Sequence, residues 1–331
     1  MPTVSLCMIV NNEEDFLHQC LMNVSNCVDE IIVVVNKGKT SKVAENFGAK
    51  IIEHEWNDDF SDARNESLKY ATKEWILVID SDEVLVQDDL LELKKMADED
   101  DAIAFMLHQI NYTNDTNQFR FIKSSNLFTK KFNFDGYFDV PTIRFFKNNM
   151  GFHFRRRVHE IVDESIIENG LESSIKDSGI ALHHLKMIKD NLIESEKRYM
   201  ILSEKEVAEN PSNYKALFDI GLISTCTTSD YEKAESSLKK CLDINKNFNE
   251  ARIALAYLYF HMKKYSESLE KFEESLKYDK NNPFIYSNIG SCLVMLKKHK
   301  EAIEIYKKAI EMGHPEKDIL MEKIRNIEML L

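Results

Sequence analysis

No two cysteines in this chain of 331 residues are spaced C-x-x-C. The six stand apart at 7, 20, 27, 226, 241 and 292, a pattern that offers no zinc or redox site and fits buried, reduced thiols in a cytoplasmic protein. No apolar run is long enough to span a bilayer. The opening MPTVSLCMIVNNEEDF has no basic segment before its apolar stretch and no small-residue cleavage site. It is expected to be a first strand and not a signal peptide. Positive charge is in deficit: the net charge is −13, which argues against general affinity for nucleic acid or anionic membrane. Neither G-x-G-x-x-G nor a P-loop occurs, so dinucleotide-binding and Walker-type readings lose their main support.

What is present suffices for real cores. Hydrophobic residues make up 44%, and the length predicts two domains. The first ~100 residues alternate short apolar runs with helical patterns. VSLCMIV (4–10), EIIVVV (30–35), AKIIEHEW (49–56) and WILVID (75–80) read as strands, the third shorter and nearer an edge. A helix with Phe16, Leu17, Cys20, Leu21 and Val24 on one face follows the first strand. Ser61 is placed to cap another, running to about Thr72. Such alternation predicts a mostly parallel sheet with ligands at the carboxyl ends of its strands.

From about 196 the pattern becomes helical and repetitive. Ala234, Ser268 and Ala302 are 34 apart, and so are Leu238, Phe272 and Tyr306, and Cys241, Ser275 and Ala309. Gly221, Ala256 and Gly290 recur at spacings of 35 and 34. Small residues in phase with large ones mark stacked tetratricopeptide repeats. The stretch 186–210 reads as a connecting helix and MEKIRNIEMLL as a cap. The expected boundary puts an α/β domain at 1–190 and an all-α repeat domain at 191–331.

The apolar run of the fourth strand ends in Asp80, Ser81, Asp82 and Glu83. In an extended segment Asp80 and Asp82 point the same way, and two carboxylates on one side can hold a hard divalent cation. Solvated acids at a capped strand end are the other reading, and spacing alone does not choose. A second acidic run, Asp98–Glu99–Asp100, has no strand before it and reads as charged surface.

LCMIVNNEEDFLHQCL, WNDDFSDARNESL, WILVIDSDE and RRRVHE occur in this order. The set resembles family 2 glycosyltransferases of the GT-A fold, in the branch with C-terminal tetratricopeptide repeats. That branch includes peptide S-glycosyltransferases of sublancin-type bacteriocin pathways. The resemblance covers nearly the whole chain. It implies a Rossmann-like GT-A domain and a divalent cation, Mn²⁺ or Mg²⁺, held by Asp82, with Asp80 on ribose or metal and His183 as a further ligand beside His184. It also implies a nucleotide-sugar donor, a UDP-sugar, contacted by Val10, Asn11, Asn36, Arg64, Asp80 and Ser81. His159 and Glu160 would lie on the acceptor side, with Glu160 as the base. A structural ion pair with Asp58 or Asp80 is the alternative for Arg64, and one with Arg155, Arg156 or Arg157 for Glu160.

One position departs from that family. Where it usually carries an aspartate after the second strand, this chain has Asn36 in NKGKTSK. Asn36 can still hydrogen-bond but brings no carboxylate. The expected reaction is a metal-assisted, inverting transfer to a serine or threonine hydroxyl or a cysteine thiol of a peptide or protein. The aromatic stretch 111–154 would supply core and part of an acceptor loop. The repeats would hold an extended acceptor chain, or else mediate a homodimer. Transfer to a polysaccharide or lipid-linked glycan is the rival reaction; a non-catalytic scaffold, favoured by Asn36, is the rival class.

Overall fold

The structure, a computed structural model, describes residues 1–10, 14–39, 41–99, 101–114, 121–185 and 192–331. The chain divides into two compact units, Met1–Asp190 and Asn191–Leu331. In the first, the strands are β1 (Val4–Val10), β2 (Glu30–Asn36), β3 (Lys50–His54), β4 (Trp75–Val78), β5 (Glu83–Leu85), β6 (Ala104–Thr113), β7 (Ile122–Lys123), β8 (Gly136–Lys147) and β9 (Ile175–His184). The helices are α1 (Glu14–Val24), α2 (Lys42–Asn46), α3 (Phe60–Leu68), α4 (Gln87–Glu99), α5 (Leu127–Phe132) and α6 (Asp163–Glu168).

Among the described residues these strands form one sheet, ordered β3-β2-β1-β4-β8-β6-β9-β5 with β7 on β8. The first four are parallel, as the alternation predicts, with β3 at the edge. Beyond β4 the sheet becomes mixed. β8 is antiparallel to β4 and β6, β9 is parallel to β6, and β5 is antiparallel to β9. The aromatic stretch 111–154 therefore supplies central strands; its TNDTNQF portion lies mostly outside the described residues.

Side-chain alternation splits the core into two layers. Leu6, Met8, Val33, Val35, Trp75 and Leu77 join Leu17, Leu21 and Leu93 of α1 and α4 on one face. Cys7, Ile32, Val34, Ile76 and Val78 join Ala63 of α3 and Ile166 of α6 on the other. Each such side chain contributes about 1.5–3 kcal/mol on burial. This two-sided burial makes the strands read as continuous apolar runs.

Two local expectations are corrected. Asp59, not Ser61, caps α3: its carboxylate accepts from the Asp62 N–H. The helix also stops at Leu68, short of Thr72, because Thr72 gives its backbone N–H (2.5 Å) and hydroxyl (2.9 Å) to Glu30. Those bonds pull the chain out of helical register toward β4.

The second unit is helical throughout its described elements. They are α7 (Leu192–Glu209), α8 (Tyr214–Cys226), α9 (Tyr231–Ile244), α10 (Asn249–His261), α11 (Tyr265–Ser275), α12 (Pro283–Met295), α13 (His299–Glu311) and α14 (Lys317–Glu328). Ala234, Ser268 and Ala302 are fully buried, as their 34-residue phase requires. The phase has a steric cause. A Cβ on Gly221 would lie 2.6 Å from the Leu238 side chain, and one on Gly290 would lie 2.6 Å from the Tyr306 ring.

Leu238 can rotate away; the buried Tyr306 ring cannot. Gly290→Ala is expected to lower stability by about 1–3 kcal/mol through overpacking, despite the ~1 kcal/mol that alanine gains in helix propensity. Thermal unfolding should show the loss, and Tyr306→Leu in the same chain should recover part of it. An unchanged melting temperature in Gly290→Ala would refute the close approach of α12 and α13.

Candidate functional site

β1, β2 and β4 run parallel, so their carboxyl ends share one edge of the sheet. Val10 ends β1 and is buried. Asn36 ends β2, exposed, with its side-chain oxygen accepting from the Trp56 N–H at 3.3 Å. Asn11 lies outside the described residues. β4 ends at Val78, and the chain then turns: the Glu83 N–H donates to the Asp80 carbonyl at 3.0 Å.

This turn overturns the extended geometry expected from D-x-D spacing. Asp80 pairs with Arg64 and Arg144, and Asp82 with His184. Asp80 accepts from Arg64 Nη2 at 2.8 and 3.0 Å and from Arg144 Nη2 at 3.3 Å. Burial opposes its charge, but the two guanidiniums hold its carboxyl far below the usual range. Arg64 comes from α3 and also donates through Nε to Glu160 Oε1 at 2.5 Å. Its side chain is only 3% exposed, and the two carboxylates outweigh burial to keep it charged. Of the alternatives open in the sequence, Arg64 thus pairs with Asp80, and Glu160 pairs with Arg64. Arg155 instead forks onto Glu168 with two 2.6 Å contacts.

Glu160 stands on a five-residue loop closed by the Arg155–Ile161 bridge. Arg156 (φ 82°) and His159 (φ 50°) both occupy left-handed backbone, which for such residues costs about 1–3 kcal/mol each. Val158 is buried within the loop and His159 is exposed. The Phe60 N–H, at the start of α3, donates to the Arg157 carbonyl at 3.0 Å.

Asp82 and Ser81 are buried at the tip of the turn. Asp82 faces His184, its Oδ2 3.4 Å from Nε2. The Asn111 amide donates through Nδ2 to the Gln109 carbonyl and side-chain oxygens (3.1 and 3.2 Å), so its Oδ1 is the atom 2.6 Å from His184 Nδ1. Nδ1 therefore carries a hydrogen. In the neutral ring Nε2 then presents a lone pair to the Asp82 carboxylate. Two acceptors then face each other unless a cation, either a proton on Nε2 or a metal ion, lies between them. Burial disfavours the imidazolium, yet Asp82, Glu83 and Asp80 together raise the affinity of His184 for a proton.

His183, the histidine chosen from sequence, faces elsewhere. Strand alternation turns it from Asp82 into an aromatic tier, 3.8 Å from the Phe128 ring centroid and with Nδ1 2.7 Å from the Tyr112 hydroxyl. Burial pushes its pKa down to about 4. The histidine geometrically fit to join Asp82 is His184. No group of three or more His, Cys, Asp or Glu among the described residues is placed to hold a metal alone. The Asp82–His184 pair fits a cation that takes its other ligands from phosphate oxygens and water, as Mg²⁺ commonly does.

Sequence reasoning missed Arg144, Gln109 and Asn111. Glu83 is fully buried and accepts from Gln109 Nε2 at 2.5 Å, Arg144 Nη2 at 3.3 Å and the Asp80 N–H at 2.8 Å. Burial raises its pKa even against Arg144. The available signal was a single arginine inside the apolar run VPTIRFF of β8. Removing that cation by Arg144→Met should cost about 3–5 kcal/mol, since it strands Glu83 in the core. Glu83→Gln in the same chain should recover part of the loss, because a neutral amide needs no counterion. Urea unfolding of both variants tests this; a tolerated single variant would contradict the buried pairing.

The model of the family described as glycosyl transferase family 2 matches residues 5–162. That described as anaphase-promoting complex, cyclosome, subunit 3 matches residues 227–309. The first match ends before β9, so His184 lies beyond it. A tetratricopeptide repeat-containing protein of Synechococcus elongatus is 36% identical over 169 residues, covering 50% of this chain and 37% of that protein. The SPbeta prophage-derived glycosyltransferase SunS of Bacillus subtilis is 26% identical over 268 residues, covering 76% and 56%. An uncharacterized glycosyltransferase of Rickettsia typhi is 29% identical over 141 residues, covering 40% and 48%. The chain thus spans about half or less of the length of these relatives.

Proposed function

We propose that the protein transfers a sugar from a nucleotide-sugar donor, a UDP-sugar, to a peptide or protein side chain, a reading supported by the match of residues 5–162 to the glycosyl transferase family 2 model and by the tetratricopeptide-like region that follows. The observation that carries the site assignment is the Asp82–His184 pair at 3.4 Å, set where the parallel strands end. Charge supports it. Two guanidiniums, Arg64 and Arg144, face the carboxylates of Asp80, Glu83 and Glu160, and Asp82 adds a fourth. Four acids against two guanidiniums favour a further cation in this cluster, whether a proton on His184 or Glu83 or a bound metal ion.

Asp82 and His184 would hold Mn²⁺ or Mg²⁺, which when bound offsets charge building on the leaving diphosphate. Asp80 then serves as the anchor of Arg64, with Val10 and Asn36 lining the donor's nucleotide end. Glu160 takes the acceptor's proton as that atom attacks the anomeric carbon opposite the leaving group, inverting the centre. Because Oε1 is held by Arg64, Oε2 is the oxygen for that proton. A serine or threonine hydroxyl needs this base more than a cysteine thiol, whose pKa is ~8.5. The repeats suit an extended acceptor chain. Five of the six cysteines are buried and no disulfide links them, consistent with a cytoplasmic enzyme. No described helix is long and apolar enough to cross a membrane.

Calorimetry with UDP, with and without Mn²⁺, tests the site. Asp82→Asn and His184→Ala should each weaken Mn²⁺-dependent UDP affinity by roughly 10-fold or more, with the circular dichroism spectrum unchanged. Equal affinity in the wild type and both variants would reject the pair as metal ligands. Glu160→Gln can still accept from Arg64, so nucleotide affinity should hold while turnover falls about 10²–10⁴-fold. Retained turnover would assign the base elsewhere.

A further inference from the structure

His108 of β6 lies outside the cluster described above, yet it is held from two sides by neighbouring strands. Its Nδ1 is 2.6 Å from Asp139 Oδ2 on β8, and its Nε2 is 2.9 Å from Asp177 Oδ1 on β9. With a carboxylate at each nitrogen, both nitrogens must donate, so the ring is an imidazolium. Burial acts against that charge, but the two acids prevail and raise the His108 pKa.

The position of this contact matters because β9 is irregular there. Met106 faces Asp177, but two residues later His108 faces Ala181. Four steps of β9 are thus matched to two of β6, a bulge at Ser178–Ile180 with Gly179 at φ 66°. The bulge is tied by side chains: Asp177 Oδ1 accepts from the Gly179 N–H at 2.9 Å, and the Ser178 hydroxyl donates to the Met106 carbonyl at 2.7 Å. Asp177 Oδ1 therefore meets His108 and the bulge at once. Past the bulge the register runs His108–Ala181, Gln109–Leu182, Ile110–His183, Asn111–His184. A one-residue slip would turn His184 to the other face of the sheet and bring His183 opposite Asn111 instead.

We propose that His108 is a positioning residue: clamped between Asp139 and Asp177, it fixes the bulge of β9 and thereby the register that sets His184 on Asn111 and toward Asp82. This role rests on the proposed metal pair only for its consequence; the register itself is independent of any ligand. His108→Leu removes the cation and leaves two carboxylates facing each other across β6. His108→Arg restores a cation with donors for both. Asp177→Asn, at a side chain 54% exposed, loosens the clamp with little risk to folding.

The experiment has two readouts on the full chain. Hydrogen exchange of residues 177–184 should accelerate in His108→Leu and Asp177→Asn and return toward wild type in His108→Arg. Mn²⁺ affinity, followed by electron paramagnetic resonance, should fall about 10-fold in His108→Leu, the scale of a lost supporting contact, and recover in His108→Arg. Gly290→Ala serves as a control: it lowers stability in the other unit and should leave Mn²⁺ affinity alone. Unchanged exchange in both clamp variants overturns the proposal, as does Mn²⁺ affinity in His108→Leu equal to wild type while Asp82→Asn loses it. If wild type and Asp82→Asn bind Mn²⁺ alike, the metal assignment fails, and exchange at 177–184 alone decides the register role.

Discussion

The first unit depends on one buried guanidinium. Arg64 holds Asp80 through Nη2 and Glu160 through Nε, so a single planar group joins α3, the turn after β4 and the loop at 155–161. Lysine could not do this: a point charge on a flexible stem lacks the fork that addresses two acids at fixed angles. Burying such a group costs several kcal/mol unless its hydrogen bonds are made. Here two acids take up Nε and Nη2, while Nη1 is buried with no hydrogen-bond partner among the described residues. The consequence is geometric: whatever binds beside Asp80 and whatever meets Glu160 are held at a distance set by one side chain.

The sheet divides its labour along its width. Its parallel part, β3-β2-β1-β4, brings Val10, Asn36 and Asp80 to one edge because parallel strands end together. Its mixed part supplies the supporting cast. Arg144 stands on β8, Gln109 and Asn111 on β6, His184 on β9. Cross-strand pairing between Glu83 and His184 closes the two parts on each other around Asp82. Every member of this polar group is fixed by another strand, so no side chain in it adjusts alone.

That division explains what was legible in the sequence. The parallel strands are buried on both faces and read as unbroken β-branched runs; EIIVVV could hardly be anything else. The repeats announced themselves because Gly290 must fit Tyr306 as Gly221 fits Leu238 two repeats earlier. Asp80 and Asp82 were found because acids after an apolar run are costly. Their separate roles were hidden, since a turn closed by one backbone hydrogen bond reverses what extended spacing predicts. Choosing His183 over His184 was a question of strand phase. A bulge shifts that phase, and Gly179 gave only a weak sign of it. Arg144 and Asn111 act through partners more than 60 residues away, a separation at which no local pattern speaks.

The loop bearing Glu160 shows how the fold sustains a conformation its own residues disfavour. Arg156 and His159 adopt left-handed backbone where glycine would be easier. The restraints that hold it there include the paired hydrogen bonds between Arg155 and Ile161, the buried Val158, and the Phe60 N–H on the Arg157 carbonyl. None of these hydrogen bonds involves the Glu160 carboxylate. They fix its backbone, while Arg64 fixes its carboxylate, so backbone and side chain are set by independent contacts. A side chain fixed at its backbone and at one carboxylate oxygen loses little further freedom when an acceptor arrives. That is the condition under which positioning lowers a reaction barrier most.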